Sequence, residues 1–288
     1  MIIDCHVHIF PPSIREARDR YFRAEPAFEL LYGDPNSRLA GREDLLRDMD
    51  RCGVDRAVVF GFPWESEDLY RRHNDYIMEA ASRSPDRLIG LGCFSLASPG
   101  AVVETERCLS GGMAGIGELA VYGGGFDVEA IPTLPEIMAV CESRGVPLLL
   151  HANEPVGHFY PGKAPMRLSE LYAFLKAYPR NRVVLAHWGG GLFFYLLLKR
   201  EVRTVLENVW FDTAASPFLY EPAIYRSAVD IAGEDRILFG SDYPLIQPDR
   251  YLRELSEAGL PGEALEKVTG RNAVKLFTPA PPGSPARP

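Results

Sequence analysis

Residues 1–10 read MIIDCHVHIF, an apolar run in which two histidines lie two positions apart. Side chains alternate between the two faces of a β-strand, so His6 and His8 would point to the same side. Two neutral imidazoles at one strand end can hold one divalent metal ion, although ordinary hydrogen-bonded histidines also show this spacing by chance. By the same alternation, we expect Cys5 to face away from both imidazoles and to pack against an outer helix.

Further strand-like runs follow, and helical stretches separate them. The predicted strands are residues 1–10, 55–62, 87–94, 113–121, 146–151, 182–187, 209–213 and 236–241. The predicted helices are residues 41–52, 66–83, 100–110, 133–144, 168–178, 191–206, 221–232, 249–258 and 262–277. The strand runs are almost continuously apolar, as parallel strands buried on both faces are. This alternation in one chain of this length predicts an α/β fold, the (β/α)8 TIM barrel.

A doubly wound sheet is the alternative with a similar order of elements. Gly189-Gly190-Gly191 follows a predicted strand and opens a predicted helix, as a phosphate-binding loop does. The stretch has neither the Gly-x-Gly-x-x-Gly spacing nor a following Lys-Ser/Thr pair. The sequence therefore predicts no dinucleotide site, which favours the barrel.

Two segments lie outside this alternation. Residues 11–40 form a long polar stretch with several prolines, and a loop of this length inside a compact domain is usually functional. We therefore expect this stretch to cover the site. Residues 278–288 are Pro-rich without an apolar pattern, so we predict a disordered tail after a single barrel domain at 1–277.

The composition limits the partners and the compartment. The chain has 288 residues, of which 47% are hydrophobic and 24% charged, and its formal net charge is −8. An acidic chain without a basic stripe is a poor match for nucleic acid. No apolar stretch approaches the roughly 20 residues that span a bilayer. The cysteines are scattered and odd in number, which indicates reduced thiols. We expect a cytoplasmic protein without a signal peptide.

Ionisable residues stand at the ends of the predicted strands, where a barrel carries its catalytic groups. They lie on the first, fourth, fifth, sixth and eighth strands, and in chain order they are His6, His8, Glu118, His151, His187 and Asp242. Chance placement would seldom bring so many polar groups to the ends of apolar strands. The sequence therefore predicts one polar site at the mouth of the barrel.

This pattern resembles the amidohydrolase superfamily, and within it the amidohydrolase-related branch. The likeness spans nearly the whole chain, with His-x-His on the first strand, His on the fifth and sixth strands, and Asp on the eighth. Residues 271–277, RNAVKLF, are similar to the Asn-Ala-x-x-Leu-Phe ending of that branch. The branch includes uncharacterised TIM-barrel metal-dependent hydrolases and enzymes of the aminocarboxymuconate semialdehyde decarboxylase type.

The resemblance implies a divalent metal centre. It makes His6, His8 and Asp242 metal ligands, with His151 a ligand in most members and His187 a further candidate. Imidazole and carboxylate ligands suit Zn²⁺, so we expect zinc, with manganese as the alternative. The ion would lower the pKa of a bound water towards neutrality. Asp242 or His187 would then act as the catalytic base and later as the acid.

Glu118 departs from the commonest pattern of the superfamily. Many members carry a carboxylated Lys on the fourth strand that bridges two metals, whereas TatD-type hydrolases use Glu there. A buried carboxylate without a partner would cost several kcal/mol or become protonated. Glu118 therefore needs a metal ion, an Arg or a hydroxyl group beside it, and a centre of either one or two ions remains open.

Further residues are candidates for binding the substrate. The loop after the fifth predicted strand, residues 152–163, is rich in hydrogen-bonding groups, with a solvated loop as the equal alternative. Two aromatic residues beside the motif positions could line the pocket or pack in the core. The candidates are Asn153, His158, Tyr160, Trp188 and Tyr243. His73 lies on a polar predicted helix, and we expect it to be exposed.

We therefore predict a metal-dependent hydrolase of a small carbonyl compound such as an amide, lactone or ester. The alternative is non-oxidative decarboxylation of an unsaturated or aromatic acid at the same metal. A decarboxylase usually holds its carboxylate with an Arg, and none directly follows the strand ends, which favours hydrolysis. A catalytically silent ligand-binding barrel fits poorly, because it would not need the whole ligand set. We expect a small-molecule substrate, no nucleic acid or membrane partner, and allow for a homodimer.

Overall fold

Short parallel strands form the centre of the molecule in the computed structural model, which describes residues 1–198 and 200–278. They are β1 (Ile3–His8), β2 (Arg56–Phe60), β3 (Leu88–Gly90), β4 (Ile116–Leu119), β5 (Leu148–Leu150), β6 (Val183–Leu185), β7 (Val209–Asp212) and β8 (Ile237–Leu238). Strands β1–β3 and β4–β8 form two sheets. Parallel bridges Val7–Tyr243 and Gly92–Ile116 join the edges of these sheets. The strands therefore close into a ring, and the predicted (β/α)8 barrel is confirmed.

Helices follow the strands and surround the barrel. They are α1 (Pro12–Arg15), α2 (Asp19–Phe22), α3 (Pro26–Tyr32), α4 (Arg42–Cys52), α5 (Glu67–Arg83), α6 (Ala101–Ser110), α7 (Leu134–Arg144), α8 (Leu168–Ala177), α9 (Arg200–Val205), α10 (Ser216–Leu219), α11 (Ala223–Ala232), α12 (Pro248–Glu257), α13 (Gly262–Glu266) and α14 (Asn272–Phe277). In α4, Leu45 and Met49 are buried four positions apart, and Gly53 ends the helix with a φ of 72°. This sequence favours a helix with one apolar face that ends at a glycine in the left-handed conformation.

The 11–40 segment is not the long loop that its polar sequence predicted. It folds into the three short helices α1, α2 and α3. Proline occupies the first position of α1 and of α3, where its missing N–H costs nothing. Ile14 and Phe28 are buried, so core contacts hold the segment against the barrel.

The apolar stretch at 191–206 is not the single helix that its composition predicted. Residues 187–197 form an irregular 3-10 segment, and α9 begins only at Arg200. The five residues from His187 to Gly191 all have positive φ, between 54° and 88°. A Cβ at position 190 would clash with the carbonyl oxygen of Asn153, so only glycine fits there. The three glycines thus form a left-handed turn, from which an α-helix cannot start.

Cys5 is buried in the interior of the barrel. β1 pairs irregularly with β2 between Asp4 and Val7, so the regular alternation of side chains is interrupted there. Cys5 belongs to a buried cluster that joins side chains of several strands to the last helix, α14, and that includes Ile3, Val58, Phe60, Leu149, Val184, Leu238, Ala273 and Leu276. This cluster closes the barrel below the polar site.

The sequence predicted no membrane span and a disordered tail. None of the helices described within residues 1–198 and 200–278 is long and apolar enough to cross a membrane. The predicted disordered tail at 278–288 lies outside the described residues, apart from Thr278.

Candidate metal centre at the barrel mouth

The two histidines of β1 present the same ring nitrogen to the barrel mouth. His6 Nδ1 lies 2.9 Å from Asp212 Oδ2, and His8 Nδ1 lies 2.9 Å from the carbonyl oxygen of Gly61. Both oxygens can only accept, so each Nδ1 carries a hydrogen and donates it. The Nε2 atom of each neutral ring is therefore a free lone pair, which is the form in which histidine binds a metal.

Two carboxylates face these nitrogen atoms from β4 and from the end of β8. Glu118 Oε2 lies 3.5 Å from Nε2 of His6 and 3.5 Å from Nε2 of His8. Asp242 Oδ1 lies 3.6 Å and 3.7 Å from the same two nitrogen atoms. Ligand atoms about 2.1 Å from a tetrahedral ion are separated from one another by roughly 3.4 Å. The observed spacings therefore match those within a metal-ligand set.

The hydrogen bonding of His6 provides an independent test of this fit. Its Nε2 atom is buried and has no hydrogen-bond partner in the described part of the chain, whereas buried polar atoms normally have one. The lone pair of Nε2 faces two carboxylates, which favours a cation there, either a proton or a metal ion. A divalent cation would accept that lone pair and neutralise Glu118 and Asp242. The residues present therefore fit a divalent metal ion.

His187 approaches the same place from the end of β6. Its Nδ1 donates to the carbonyl oxygen of Ala214 at 3.1 Å, so its Nε2 also faces the centre. That Nε2 lies 3.5 Å from Glu118 Oε1. His187 further forms a group of metal-ligand spacing with His6 and Asp242. It is placed either to bind an ion or to face a substrate beside one.

His151, at the end of β5, is oriented differently from the other three imidazoles. Its Nδ1 lies 3.0 Å from Glu118 Oε1, and its Nε2 lies 3.0 Å from the carbonyl oxygen of Gly162. Both partners are acceptors, and a neutral ring can donate to only one of them. Glu118, His151 and His187 form a second group with metal-ligand spacing. The two oxygens of Glu118 thus face two different sets of histidines.

Burial and neighbouring charge act in opposite directions on the ionisation of the site. Burial lowers the pKa of His6, but the carboxylates of Glu118 and Asp212 outweigh it and raise that pKa well above its usual value. Burial raises the pKa of Glu118, but His6 and His151 outweigh it and hold that pKa well below its ordinary range. The pKa of His187 is raised because Glu118 outweighs burial. Binding of a metal ion would replace the protons that these charge pairs retain.

Asp212 belongs to the site, although the sequence did not single it out. Besides its contact with His6, its Oδ1 accepts from the backbone N–H of His187 at 2.9 Å and of Ala214 at 3.0 Å. Asp212 therefore orients one imidazole and holds the turn that carries another. The sequence contained a signal for Asp212, because this residue lies near the end of a predicted strand, as the other candidate site residues do.

A second buried aspartate fixes the turn that carries Asp242. Ser241 donates from its hydroxyl to Asp4 Oδ2 and from its backbone N–H to Asp4 Oδ1. Burial raises the pKa of Asp4 to about 6, although its hydrogen bonds with Ser241 oppose that shift. Asp242 has a φ of 60°, a left-handed conformation that costs a residue with a side chain on the order of 1–3 kcal/mol. The Asp4–Ser241 contact helps to hold that conformation.

Three predicted substrate-binding residues lie on the loop after β5. Asn153 is buried, and its Oδ1 accepts from the backbone N–H of Ala164 at 2.8 Å. Tyr160 donates its hydroxyl to Glu154 at 2.8 Å, and His158 is exposed. Asn153 therefore anchors the loop, while Tyr160 and His158 lie farther along it.

The two predicted aromatic pocket residues are both fully buried. Trp188 donates from Nε1 to the hydroxyl of Ser216 at 2.6 Å. Tyr243 donates its hydroxyl to Asp48 at 2.9 Å. The polar atoms of both side chains are thus engaged with the protein, beside the residues that carry the site.

His73 is buried, and the prediction that it is exposed is wrong. Its Nδ1 accepts from Trp64 Nε1 at 2.9 Å, and its Nε2 donates to the carbonyl oxygen of Ile9 at 2.7 Å. The helix α5 is polar along most of its length, but its inner face meets the segment after β1. A histidine with two complementary partners can be buried there as a neutral ring.

Comparison with known proteins gives the family. The amidohydrolase family model (Amidohydro_2) matches residues 3–278. This chain belongs to the amidohydrolase family. The match covers the whole barrel, including all the residues that line the candidate metal centre, and it confirms the resemblance seen in the sequence.

Several proteins similar to this chain are named as decarboxylases. The 2-amino-3-carboxymuconate-6-semialdehyde decarboxylase of Dictyostelium discoideum is 23% identical over 96% of this chain and 91% of its own length. The 6-methylsalicylic acid decarboxylase of Penicillium expansum is 25% identical over 96% of this chain and 95% of its own.

Solved structures confirm the fold at lower identity. The 5-carboxyvanillate decarboxylase of Sphingomonas paucimobilis superimposes with a TM-score of 0.79 at 18% identity, over 97% of this chain and 99% of the other. A dihydroxybenzoic acid decarboxylase of Polaromonas, solved with bound manganese and the inhibitor 2-nitroresorcinol, gives a TM-score of 0.71 at 20% identity, over 96% of each chain.

These relatives correct the predicted reaction. The prediction of a hydrolase is wrong, because the similar proteins of named activity are decarboxylases. The missing Arg was a poor criterion, since a divalent ion can itself bind a carboxylate through oxygen. A divalent-metal site is supported by the family and by the histidines and carboxylates at the mouth. The prediction that the ion is zinc in particular has no support here.

Proposed function

We propose that this chain is a divalent-metal-dependent decarboxylase of an aromatic or unsaturated carboxylic acid, with residues 1–277 as its catalytic domain. The observation that carries the proposal is similarity along 96% of the chain to two decarboxylases. By their names, these relatives act on an aminocarboxymuconate semialdehyde and on 6-methylsalicylic acid, both unsaturated acids. The cluster of histidines and carboxylates at the mouth supports the metal dependence of this reaction.

The proposed ligands are the four residues with matching spacing, namely His6, His8, Glu118 and Asp242. When bound, a divalent ion supplies positive charge for the substrate carboxylate and for the charge that develops as carbon dioxide leaves. Manganese is the first ion to test, because the Polaromonas decarboxylase structure contains it. His151 is proposed to position Glu118, or to bind a second ion together with His187.

His187 is proposed as the group that handles the proton. Decarboxylation breaks the bond between the carboxyl carbon and the substrate carbon, releases carbon dioxide, and adds one proton to that substrate carbon. The Nδ1–H of His187 is fixed on Ala214, so only its Nε2 can exchange a proton within the site. Asp242 faces the same space and can pass a proton to that nitrogen or to the substrate.

Product analysis in deuterated water tests this proposal. Manganese-loaded protein is incubated with 6-methylsalicylate, 2,6-dihydroxybenzoate and 5-carboxyvanillate, and carbon dioxide and the organic product are measured. The expected product has lost the carboxyl group, gained one deuterium at that carbon and gained no oxygen. His187→Gln is the matched variant that should retain the ion held by His6, His8, Glu118 and Asp242 and lose turnover. A product formed by addition of water, or no carbon dioxide from any acid, would contradict the proposal.

A homodimer is also proposed, on the basis of an exposed apolar stretch. The side chains of Phe194, Tyr195, Leu197 and Leu198 are between 42% and 68% exposed. Contiguous exposed apolar residues commonly mark an interface. Sedimentation analysis should give twice the mass of the chain, and Leu197→Lys should shift the protein towards the monomer. A monomeric wild-type protein at micromolar concentration would refute the dimer.

A further inference from the structure

Two tyrosines approach the metal centre from separate parts of the chain. Tyr32 ends α3 in the 11–40 segment, and Tyr122 follows β4 shortly after Glu118. The ring of Tyr122 lies 5.4 Å from the ring of His151. On its other side it lies 6.3 Å from the ring of Phe62, with the planes only 6° apart. Both tyrosines thus lie within one aromatic surface beside the site.

Phe62 connects the two tyrosines. Its ring lies 6.1 Å from that of Tyr32, so Tyr32, Phe62 and Tyr122 form a continuous surface that we call the tyrosine wall. After burial, the largest influences that raise the pKa of Tyr32 are the carboxylates of Asp242 and Glu118. This direction agrees with the ring contacts, which join Tyr32 through Phe62 and Tyr122 to His151.

The hydroxyl groups of the tyrosine wall differ from those of two fully buried tyrosines, Tyr243 and Tyr251. Tyr243 and Tyr251 donate their hydroxyls to Asp48 and to the carbonyl oxygen of Ser241. Within residues 1–198 and 200–278, the hydroxyls of Tyr32 and Tyr122 have no hydrogen-bond partner. Both side chains are partly exposed, so their hydroxyls can be reached from outside the protein. These two groups are therefore donors available to a ligand.

Three cations of the neighbouring segments make contacts within the protein. Arg15 pairs with Asp44 at 3.2 Å, and Arg18 donates to the carbonyl oxygen of Ser37 at 2.6 Å. Lys163, on the loop after β5, pairs with Glu154 at 2.8 Å. Arg18 adds positive charge beside Tyr32, because carbonyl oxygens do not neutralise it. The tyrosine wall itself offers neutral donors to an entering carboxylate.

We propose that the tyrosine wall is the substrate-recognition surface for an aromatic carboxylic acid. The hydroxyls of Tyr32 and Tyr122 donate to the oxygen substituents of the acid, and the ring of Phe62 packs against the arene. This assignment rests on the proposed decarboxylase activity for its substrate class. It adds two specificity-determining residues that are not among the histidines and carboxylates of the centre.

Calorimetric titration of manganese-loaded protein tests the tyrosine wall without turnover. The ligands are 2-hydroxybenzoate, benzoate and acetate, and the variants are Tyr32→Phe and Tyr122→Phe. Each variant should weaken 2-hydroxybenzoate binding roughly tenfold or more, as the loss of a hydrogen bond to a charged group does. At least one variant should weaken the binding of benzoate less than the binding of 2-hydroxybenzoate, because benzoate lacks the hydroxyl substituent. Wild-type protein should bind acetate more weakly than benzoate.

Tyr21→Phe is the matched control, since Tyr21 lies on the same segment with its ring 6.0 Å from Trp64. It should bind 2-hydroxybenzoate as the wild type does, and all variants should keep the wild-type metal content. Unchanged affinity in both wall variants, or no binding of 2-hydroxybenzoate by wild type, would overturn the assignment. Should a variant not fold, equal wild-type affinity for acetate and benzoate would overturn it as well. If 2-hydroxybenzoate binding depends on both tyrosines but the protein releases no carbon dioxide, only the decarboxylase proposal is refuted.

Discussion

His6 and His73 are both fully buried, yet their surroundings are opposite. Around His73, one ring nitrogen accepts from Trp64 and the other donates to a backbone carbonyl. Around His6, one ring nitrogen donates to Asp212, while the other has no hydrogen-bond partner in the described residues and faces two carboxylates. The first ring is fully satisfied by the protein. The second ring needs a cation beside the nitrogen atom that has no hydrogen-bond partner in the described residues.

The ionisation of the two rings follows from these partners. Burial lowers the pKa of His73 to about 4, and the hydrogen bond to Ile9 opposes this shift only in part. Burial also disfavours charge on His6, but Glu118 and Asp212 reverse the effect. Depth of burial therefore does not identify a functional histidine. The unsatisfied nitrogen atom and the sign of the nearby charge do.

The largest expected effect is that of removing His6. His6→Ala should reduce bound metal to a small fraction of the wild-type content and lower turnover by roughly a hundredfold or more, because a ligand of the ion is lost. Metal analysis and carbon dioxide release measure the two effects. The matched control is His158→Ala, which removes an exposed imidazole. A His6→Ala protein with full metal and full turnover would show that the centre lies elsewhere.

Asp212→Asn should have the next largest effect. The amide can still contact His6 Nδ1, but it carries no charge to orient and polarise the ring. Loss of such a partner behind a metal-bound histidine typically weakens metal affinity 10–100-fold. Competition with a chromophoric chelator measures the affinity, and thermal melting checks the fold. Unchanged affinity would mean that Asp212 serves only to hold the backbone of His187 and Ala214.

The candidate site was predictable from the sequence for those residues that lie at the ends of predicted strands. His6, His8 and Asp242 follow from apolar runs that end in ionisable residues, and a parallel barrel brings all such ends to one mouth. Asp212 obeys the same rule and was overlooked. The orientation of His151 could not be predicted, since it depends on Gly162, which a folded loop brings into reach.

The fold was predictable except where local backbone geometry overrides composition. Residues 191–206 are apolar enough for a helix, but left-handed residues from His187 onward exclude one. His73 lies on a helix rich in charged residues, and its contacts with Trp64 and Ile9 explain its burial. The first error concerns the backbone of a turn and the second concerns contacts between separate segments, and hydrophobic periodicity reports neither.

The contrast between His6 and His73 also predicts a pH dependence. The folded-state pKa of His73, about 4, lies below the unfolded value of about 6.5. The unfolded chain therefore binds the proton more readily, and folding stability falls as pH decreases from about 6.5 towards 4. The contribution of this residue is on the order of 3 kcal/mol. NMR of ring-labelled histidine should show His73 neutral at pH 5, with the resonance assigned by His73→Gln. A charged ring at pH 6 would contradict the neutral, doubly bonded geometry.

The smallest expected effect is at His158, the exposed counterpart of both buried rings. His158 lies on the loop after β5, where its ring is 6.1 Å from that of Tyr160, and Lys163 holds the loop through its pair with Glu154. An exposed ring supplies little binding energy, because water already satisfies its nitrogen atoms. His158→Ala should therefore change KM less than about threefold and leave kcat and metal content unchanged. Lys163→Met, which breaks the ion pair inside the loop, is the matched comparison and should raise KM more. If His158→Ala instead lowers kcat tenfold, the loop must close on the substrate during turnover and bring the exposed imidazole to the reacting groups.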